Sequence, residues 1–328
     1  MKKAVCLLLA LCLAVFSGAC AGGDDWALDI AGARISPEIY AYYLDAVIRA
    51  PGDYGLSPPA AENQAKDKAA ELCQNYVAAN TLLSENGIVL TAGKKAAVAS
   101  RVSGLWNFYS GHYEAIGVTR QTVHKIETAN AAKEALLLYF FDSETQKAAT
   151  EDAIRAYYSE TFLSFVSING YLTKTMDDGA TMKLSAEEAA ALAGKFEAMR
   201  VRITEGDSFE AVGEWFAADS GTSAGKAEYK MIKKGGVLYP DGFFEALAAL
   251  APGTPGIIQL DQYIFLVMRS KPDFDSENYT TNRTGCLDAL KGGEIDKMIR
   301  DEAARYTVKT DNKTVERVYK TVAEKRDG

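Results

Sequence analysis

Residues 162 to 172 read FLSFVSINGYL, an alternation of apolar and polar side chains in a chain whose other apolar residues mostly recur every third or fourth position. Alternation is the period of a strand and three-to-four spacing the period of a helix, so one kind of element cannot serve both patterns. A small sheet has to be built in the middle of a helical chain. What that strand faces, a working cleft or only a core, decides how much function can be read.

The helical pattern ahead of the strand is well punctuated. Trp26 to Ser36 reads as a short strand, a turn at Gly32 and a second strand. Ser36-Pro37 opens a helix to about Arg49, with serine as the cap and proline at the first helical position, where no N–H is needed. Pro51-Gly52 ends it. From Ala60 to Asn86, the residues Ala65, Ala69, Leu72, Tyr76, Ala79 and Leu83 share one helical face, and Asn86-Gly87 suits a left-handed cap. A third helix starts near Thr91 with Val98, Val102, Leu105, Tyr109 and His112 on one stripe. A fourth runs from Thr119 to Phe141 and a fifth from about Glu151 to Ser159.

Behind the strand, Ser185 and Glu188 form a capping-box signature, and the helix they open carries Ala189, Leu192, Phe196, Met199 and Ile203 on one face. Ser208 caps a shorter helix bearing Phe209, Val212 and Phe216. A strand around Tyr229 to Ile232, a Gly235-Gly236 turn and a short helix from Phe243 to Leu250 follow. Two strands, Gly256 to Leu260 and Gln262 to Met268, meet in a tight turn at Asp261. The helical pattern returns from Leu287 to Ala304, then comes an extended piece from Tyr306 to Thr310 and a last helix from Asp311 to about Lys325.

The fold class expected is mainly α with an inserted α+β domain that carries a four-stranded sheet. The expected division is a leader with the start of a tether over 1–21, a helical domain over 22–160, the α+β domain over 161–272, and a C-terminal segment over 273–328. That last segment should pack back on the helical domain, because Tyr306 to Thr310 reads as an edge strand able to pair near Trp26 to Ile30. The length of 328 residues suffices for two cores.

The first 21 residues, MKKAVCLLLALCLAVFSGACA, have a basic start, an apolar run and small residues, the pattern of a secretory signal. Ser17-Gly18-Ala19-Cys20 resembles a lipobox, in which the Cys20 thiol is acylated; Ser17 stands where leucine is usual, and Ala19-Cys20-Ala21 also fits ordinary cleavage. The location this implies is the outer face of the bacterial cytoplasmic membrane, with Cys20 as the lipid anchor. The net charge of −8 becomes about −10 once Lys2 and Lys3 leave, which argues against nucleic acid as partner. Cys73 and Cys286 are expected as buried free thiols. No cysteine or histidine spacing suggests a metal, and no motif calls for a cofactor.

Two stretches carry a resemblance to a known family. Gly206-Asp207-Ser208-Phe209 and Phe243-Phe244-Glu245-Ala246-Leu247-Ala248-Ala249-Leu250-Ala251-Pro252-Gly253 resemble motifs of the parvulin-type peptidyl-prolyl isomerase domain, as carried by PrsA-type foldase lipoproteins and SurA-type chaperones. Ile30 to Glu38 resembles the opening turn of these chaperones, and Ala156-Tyr157-Tyr158 stands where they enter the isomerase domain. The resemblance implies a protein that folds exported chains, with unfolded polypeptides, and a second copy of itself in a homodimer, as the partners to expect.

It also implies a cleft. The strand matching Phe162 to Leu172 should carry one cleft histidine and the last strand another; here the matching positions are Asn169, or Ile168 in the shifted register, and Ile264. The second aromatic of the short-helix motif is Ala248, and Thr222 to Lys226 offers one glycine where the family has two. Phe243 remains as the floor of a proline pocket or as core, with Leu238, Tyr239 and Tyr263 near it as substrate-binding positions. His112 sits on an apolar stripe and reads as a satisfied core or half-buried histidine, and His124 as a solvated one.

The expected function is therefore an extracytoplasmic chaperone or foldase with weak or no isomerase activity. An active isomerase with a drifted site is the first alternative and a solute-binding surface lipoprotein the second. Asp273, Asp275 and Glu277 lack the glycine and later glutamate of a calcium loop and read as a solvated linker.

Overall fold

Side-chain caps fix where the helices start. In this computed structural model, which describes residues 25–142, 148–176, 179–220 and 226–325, Ser36 accepts from the Ile39 N–H at 3.4 Å, Thr91 from Lys94 at 3.2 Å and Thr119 from Thr122 at 3.2 Å. Asp311 accepts from the N–H groups of Lys313 and Thr314. These satisfy donors that the first helical turn leaves without partners.

The chain forms two compact units, one made of residues up to Ala149 together with Leu287 onward, the other of Thr150–Cys286. The first contains helices α1 (Pro37–Arg49), α2 (Glu62–Glu85), α3 (Ala92–Ala115) and α4 (Arg120–Phe141), closed by α10 (Asn312–Glu324). Strand β1 (Leu28–Ile30) lies between β2 (Ala33–Ile35) and β9 (Val308–Thr310), antiparallel to both, with Leu28 opposite Ile35 and Thr310. Leu44, Val47, Ala69, Cys73, Val123 and Val318 pack around this sheet in one core. Tyr109, expected on the buried stripe of α3, is 48% exposed; Tyr113 takes the buried place, its ring stacked on Tyr42 and Trp106.

In the second unit, α5 (Glu151–Thr161) runs straight into β3 (Phe162–Tyr171). A small hairpin follows, β4 (Thr173–Thr175) with β5 (Thr181–Lys183), which the sequence did not announce. Then come α6 (Ala186–Thr204), α7 (Phe209–Ser220), β6 (Glu228–Lys233), α8 (Phe243–Ala249), β7 (Pro255–Leu260) and β8 (Tyr263–Arg269). The four long strands form one antiparallel sheet in the order β6-β3-β8-β7. Helices α6 and α7 cover one face through Phe196, Met199, Phe209 and Val212, and α8 covers the other through Phe243 and Leu247. The Ser185–Glu188 capping box at the head of α6 is complete.

Helix α9 (Glu277–Ala303) begins ten residues before the expected Leu287. Its first turns carry almost no apolar residues and are held from elsewhere: Ser276 caps the Tyr279 N–H at 3.2 Å, the Tyr279 hydroxyl donates to Glu151 at 2.5 Å, and Arg283 pairs with the same carboxylate at 2.8 Å. Burial of Glu151 would raise its pKa, but the hydrogen bonds from Tyr279 and Arg283 outweigh it and hold the carboxyl below its usual value. Glu151, Tyr279 and Arg283 all belong to the unit Thr150–Cys286. Cys73 and Cys286 are buried free thiols.

Candidate functional site

The alternation of Phe162 to Tyr171 becomes two unlike sheet faces. Val166 and Ile168 of β3 join the α6–α7 core with Ile264 and Leu266 of β8. Leu163 and Phe165 join Phe265 and Val267 beneath α8. Ser167 and Asn169 follow Phe165 at spacings of two and so point to the α8 side. Asn169 lies directly opposite Phe265, and Ile264 opposite Gly170.

This corrects one expected site residue. Ile264 is fully buried against α6 and is no part of a cleft on the α8 side, and Ile168 is buried on the same wrong side. The strand YIFLVMR is apolar at almost every position, so nothing in it marks which parity faces which helix; a one-residue shift turns every side chain over. Phe265 is the residue that occupies the place given to Ile264.

On the α8 side the rings form a cluster. Tyr239 stacks on Phe243 with centroids 4.4 Å apart and planes within 16°, while Phe265 and Phe165 meet Phe243 at 4.8 and 5.6 Å. Tyr263 stacks on Phe265 at 5.7 Å. Phe243 is thus buried as core and is not an open pocket floor. Leu238 is not in the cluster: it and Val237 stand out at 88% and 94% exposure.

Polar groups line the same face. Asn169 donates through Nδ2 to Glu228 at 3.4 Å, and Glu228 pairs with Lys230 at 2.5 Å. The hydrogen bond to Glu228 raises the Lys230 pKa, and burial raises that of the Tyr239 phenol. The Ser167 hydroxyl and the Asn169 carbonyl oxygen are buried with no hydrogen-bond partner. A cavity of about 460 Å³ is walled partly by the segment between β6 and α8, with Met231, Ile232, Leu238, Tyr239, Pro240 and Phe244 beside the charged Lys233, Asp241 and Glu245.

The arrangement offers ring surfaces, a few acceptors and the Glu228–Lys230 ion pair, with no histidine among its described residues. Both histidines lie in the helical unit. His112 Nε2 sits 3.1 Å from both oxygens of the buried Asp45, which also binds Arg49, so it is the satisfied half-buried histidine expected; His124 is exposed. Asp273 and Asp275 are exposed, and Asp273 accepts from the Asp275 N–H in a local turn. Among the described residues no group of three His, Cys, Asp or Glu side chains is placed to hold a metal, and no helix is long and apolar enough to cross a membrane. Cys20 and positions 222–225 lie outside the described residues.

Sequence reasoning missed Phe165, Phe265, Ser167 and Val237. Phe165 and Ser167 were legible in principle from the β3 alternation, and the Val237-Leu238 pair from its position directly after two glycines.

No family profile and no curated protein matches the chain. Among solved structures it is similar to the foldase protein PrsA of Streptococcus pneumoniae str. Canada MDR_19A, at 13% identity and TM-score 0.40 over 80% of this chain and 91% of that one. It is similar also to the PrsA foldase of Lactococcus lactis, at 10% identity and TM-score 0.37 over 92% and 99%. A third similar structure belongs to the two structurally related SurA-like chaperones of Campylobacter jejuni, at 10% identity and TM-score 0.29 over 88% and 99%. Likenesses of this size carry no argument about activity, which has to rest on the residues.

Proposed function

We propose that the protein is an extracytoplasmic folding factor that binds extended apolar segments of incompletely folded polypeptides at the α8 side of its sheet and turns prolines over slowly or not at all. The observation that carries this reading is Leu238, almost fully exposed in the wall of the 460 Å³ cavity with the equally exposed Val237 next to it, the rest of the wall mixing Met231, Ile232, Pro240 and Phe244 with Lys233, Asp241 and Glu245. Apolar surface left in water costs free energy unless something covers it, and a groove that mixes apolar and charged side chains beside an exposed Val-Leu pair fits an unfolded chain.

Slow turnover follows from the chemistry. Twisting an X-Pro amide means lowering a barrier of about 18–20 kcal/mol, and the positions matching the family's cleft histidines are Asn169 and, in the corrected parity, Phe265. The signal-like leader and Cys20 support export and lipid anchoring; mass spectrometry of the mature N-terminus reads this directly, and a chain beginning after Ala21 without acyl groups would contradict it.

The function is tested by the aggregation of a heat-denatured reporter enzyme. The wild-type protein should suppress it, and the double variant Val237→Ser, Leu238→Ser should lose most of that effect while melting at the same temperature, since both side chains are in solvent. Equal suppression by both proteins, or none by the wild type, would remove the reading.

A further inference from the structure

We propose that the cavity where β3 begins and β8 ends binds the phosphate group of a small soluble ligand, held by Arg269 and Lys271. This site stands apart from the folding-factor reading: neither Tyr239, Phe243 nor Phe265 lines the cavity.

The cavity has a volume of about 300 Å³ and lies within the unit Thr150–Cys286. Tyr158, Phe162 and Ser164 reach its wall from the end of α5 and the start of β3, Arg269 and Lys271 from the end of β8 and the residues after it, and Asn278 from the first turn of α9. The backbone that carries them is tied together. The Ser270 N–H donates to the Ser164 carbonyl and the Gly253 N–H to that of Arg269, both at 2.8 Å, so a ligand would meet a wall that is already formed.

Arg269 is the centre of the site. Its Nη1 donates to the Ala248 carbonyl at 2.8 Å, its Nε is buried with no hydrogen-bond partner, and among the described residues no carboxylate pairs with it. A buried donor without a partner costs free energy, and a half-buried cation without a counter-ion costs more. The planar fork of a guanidinium matches two oxygens of a phosphate, which would supply both the missing acceptor and the missing charge.

Other cations gather at the same end of the sheet. Lys271 is exposed and has no carboxylate partner among the described residues. Lys233 stands opposite Phe162 with its Nζ 6.0 Å from the centre of that ring, and the Lys234 N–H donates to the Thr161 carbonyl at 2.8 Å. In a chain of net charge −8 this is a local positive field that draws anions in. The opposing group in the wall is Asp273, whose Oδ1 accepts from the Asp275 N–H at 3.0 Å and whose carbonyl accepts from the Ser276 hydroxyl at 2.6 Å. One carboxylate against Arg269 and Lys271 leaves the balance of the wall positive. Ser164 and Asn278 add neutral donors.

A volume of about 300 Å³ equals the share of roughly ten waters, more than a bare phosphate fills. The Tyr158 and Phe162 rings, stacked with centroids 5.1 Å apart, give the remaining space an apolar side. A phosphomonoester with a short organic tail fits this better than the free ion.

The probes are inorganic phosphate, glycerol 3-phosphate and acetate, each titrated calorimetrically into the whole protein at constant ionic strength. Both phosphates should bind saturably with one site per chain, and acetate at least about tenfold more weakly, because it offers one charge and two oxygens to the same donors. Lys271→Gln should weaken phosphate binding roughly tenfold, and Arg269→Gln should weaken it further. Lys271 is in solvent, so its variant keeps its fold and decides the matter even where Arg269→Gln does not fold. Lys309→Gln, on β9 in the other unit, should bind phosphate as the wild type does. Tighter binding of glycerol 3-phosphate would identify an ester as the ligand and equal binding the free ion; either retains the site. No saturable phosphate binding, acetate bound as tightly as phosphate, or undiminished affinity in Lys271→Gln would overturn the proposal.

Discussion

The two faces of the four-stranded sheet are built from the same strands and behave as different materials. Beneath α6 and α7 the contact is apolar and closed: a Cβ placed on Gly170 would lie 2.8 Å from two atoms of the Phe196 ring and 3.0 Å from Ile264. Beneath α8 the sheet presents Ser167 and Asn169 among aromatic rings, with two buried oxygens unpartnered, an ion pair at its margin and a loop held between glycines. A protein interior matches its polar groups, so a face that leaves two of them unmatched is where function is to be sought. The first face holds the unit together. The second leaves polar groups unmatched among its rings.

The difference can be broken by mutation. Phe196 and Phe243 are both buried phenylalanines, 0% and 1% exposed. Phe196→Ala should cost about 3–5 kcal/mol because its surroundings are interlocked, while Phe243→Ala should cost about 3 kcal/mol or less, since Tyr239 can settle into the space. Chemical denaturation of both variants measures the gap, and equal costs would mean that the α8 face is as rigid as the other. Gly170→Ala should cost about 1–3 kcal/mol through overpacking on Phe196, read in the same way.

A smaller effect is expected at acid pH. The hydrogen bond from Lys174, followed by that from the Ser185 N–H, depresses the Glu188 carboxyl to about 2. Its folded value lies below its unfolded one, so the capping box contributes fully above the usual carboxylate value of 4.5 and loses its contribution as pH falls from there toward about 2. Thermal midpoints of the wild type and Glu188→Gln should differ at neutral pH and converge over that window. Smallest of all is Ser167→Ala, which removes a buried hydroxyl with no partner; it should be neutral or stabilise by up to about 1 kcal/mol. A clear loss of stability there would show that Ser167 is bonded in solution and belongs to the scaffold.

Much of the fold was legible because it is written in local chemistry. Ser36, Thr91, Thr119 and Asp311 announce helix starts through their own side chains, and the alternation of Phe162 to Tyr171 announces its strand. What could not be read was non-local. The first turns of α9 depend on Glu151, more than a hundred residues earlier in the chain, and the β4–β5 hairpin is exposed, with no apolar pattern to betray it. The site was half legible for the same reason. Phe243, Tyr239 and Tyr263 could be named from their motif, but which parity of β8 faces α8 is set by packing on both sides of an all-apolar strand, and this misplaced Ile264.

The claim that one face serves as scaffold and the other as site is tested most directly by site-specific photo-crosslinking. Val237 beside α8 and Val201 on α6 are both exposed, at 94% and 39%, and can each be replaced by benzoylphenylalanine without disturbing a core. Irradiated with permanently unfolded, carboxymethylated lactalbumin, the protein labelled at position 237 should crosslink strongly and the protein labelled at 201 should not. Crosslinking of equal strength from both positions, or from 201 alone, would contradict the account.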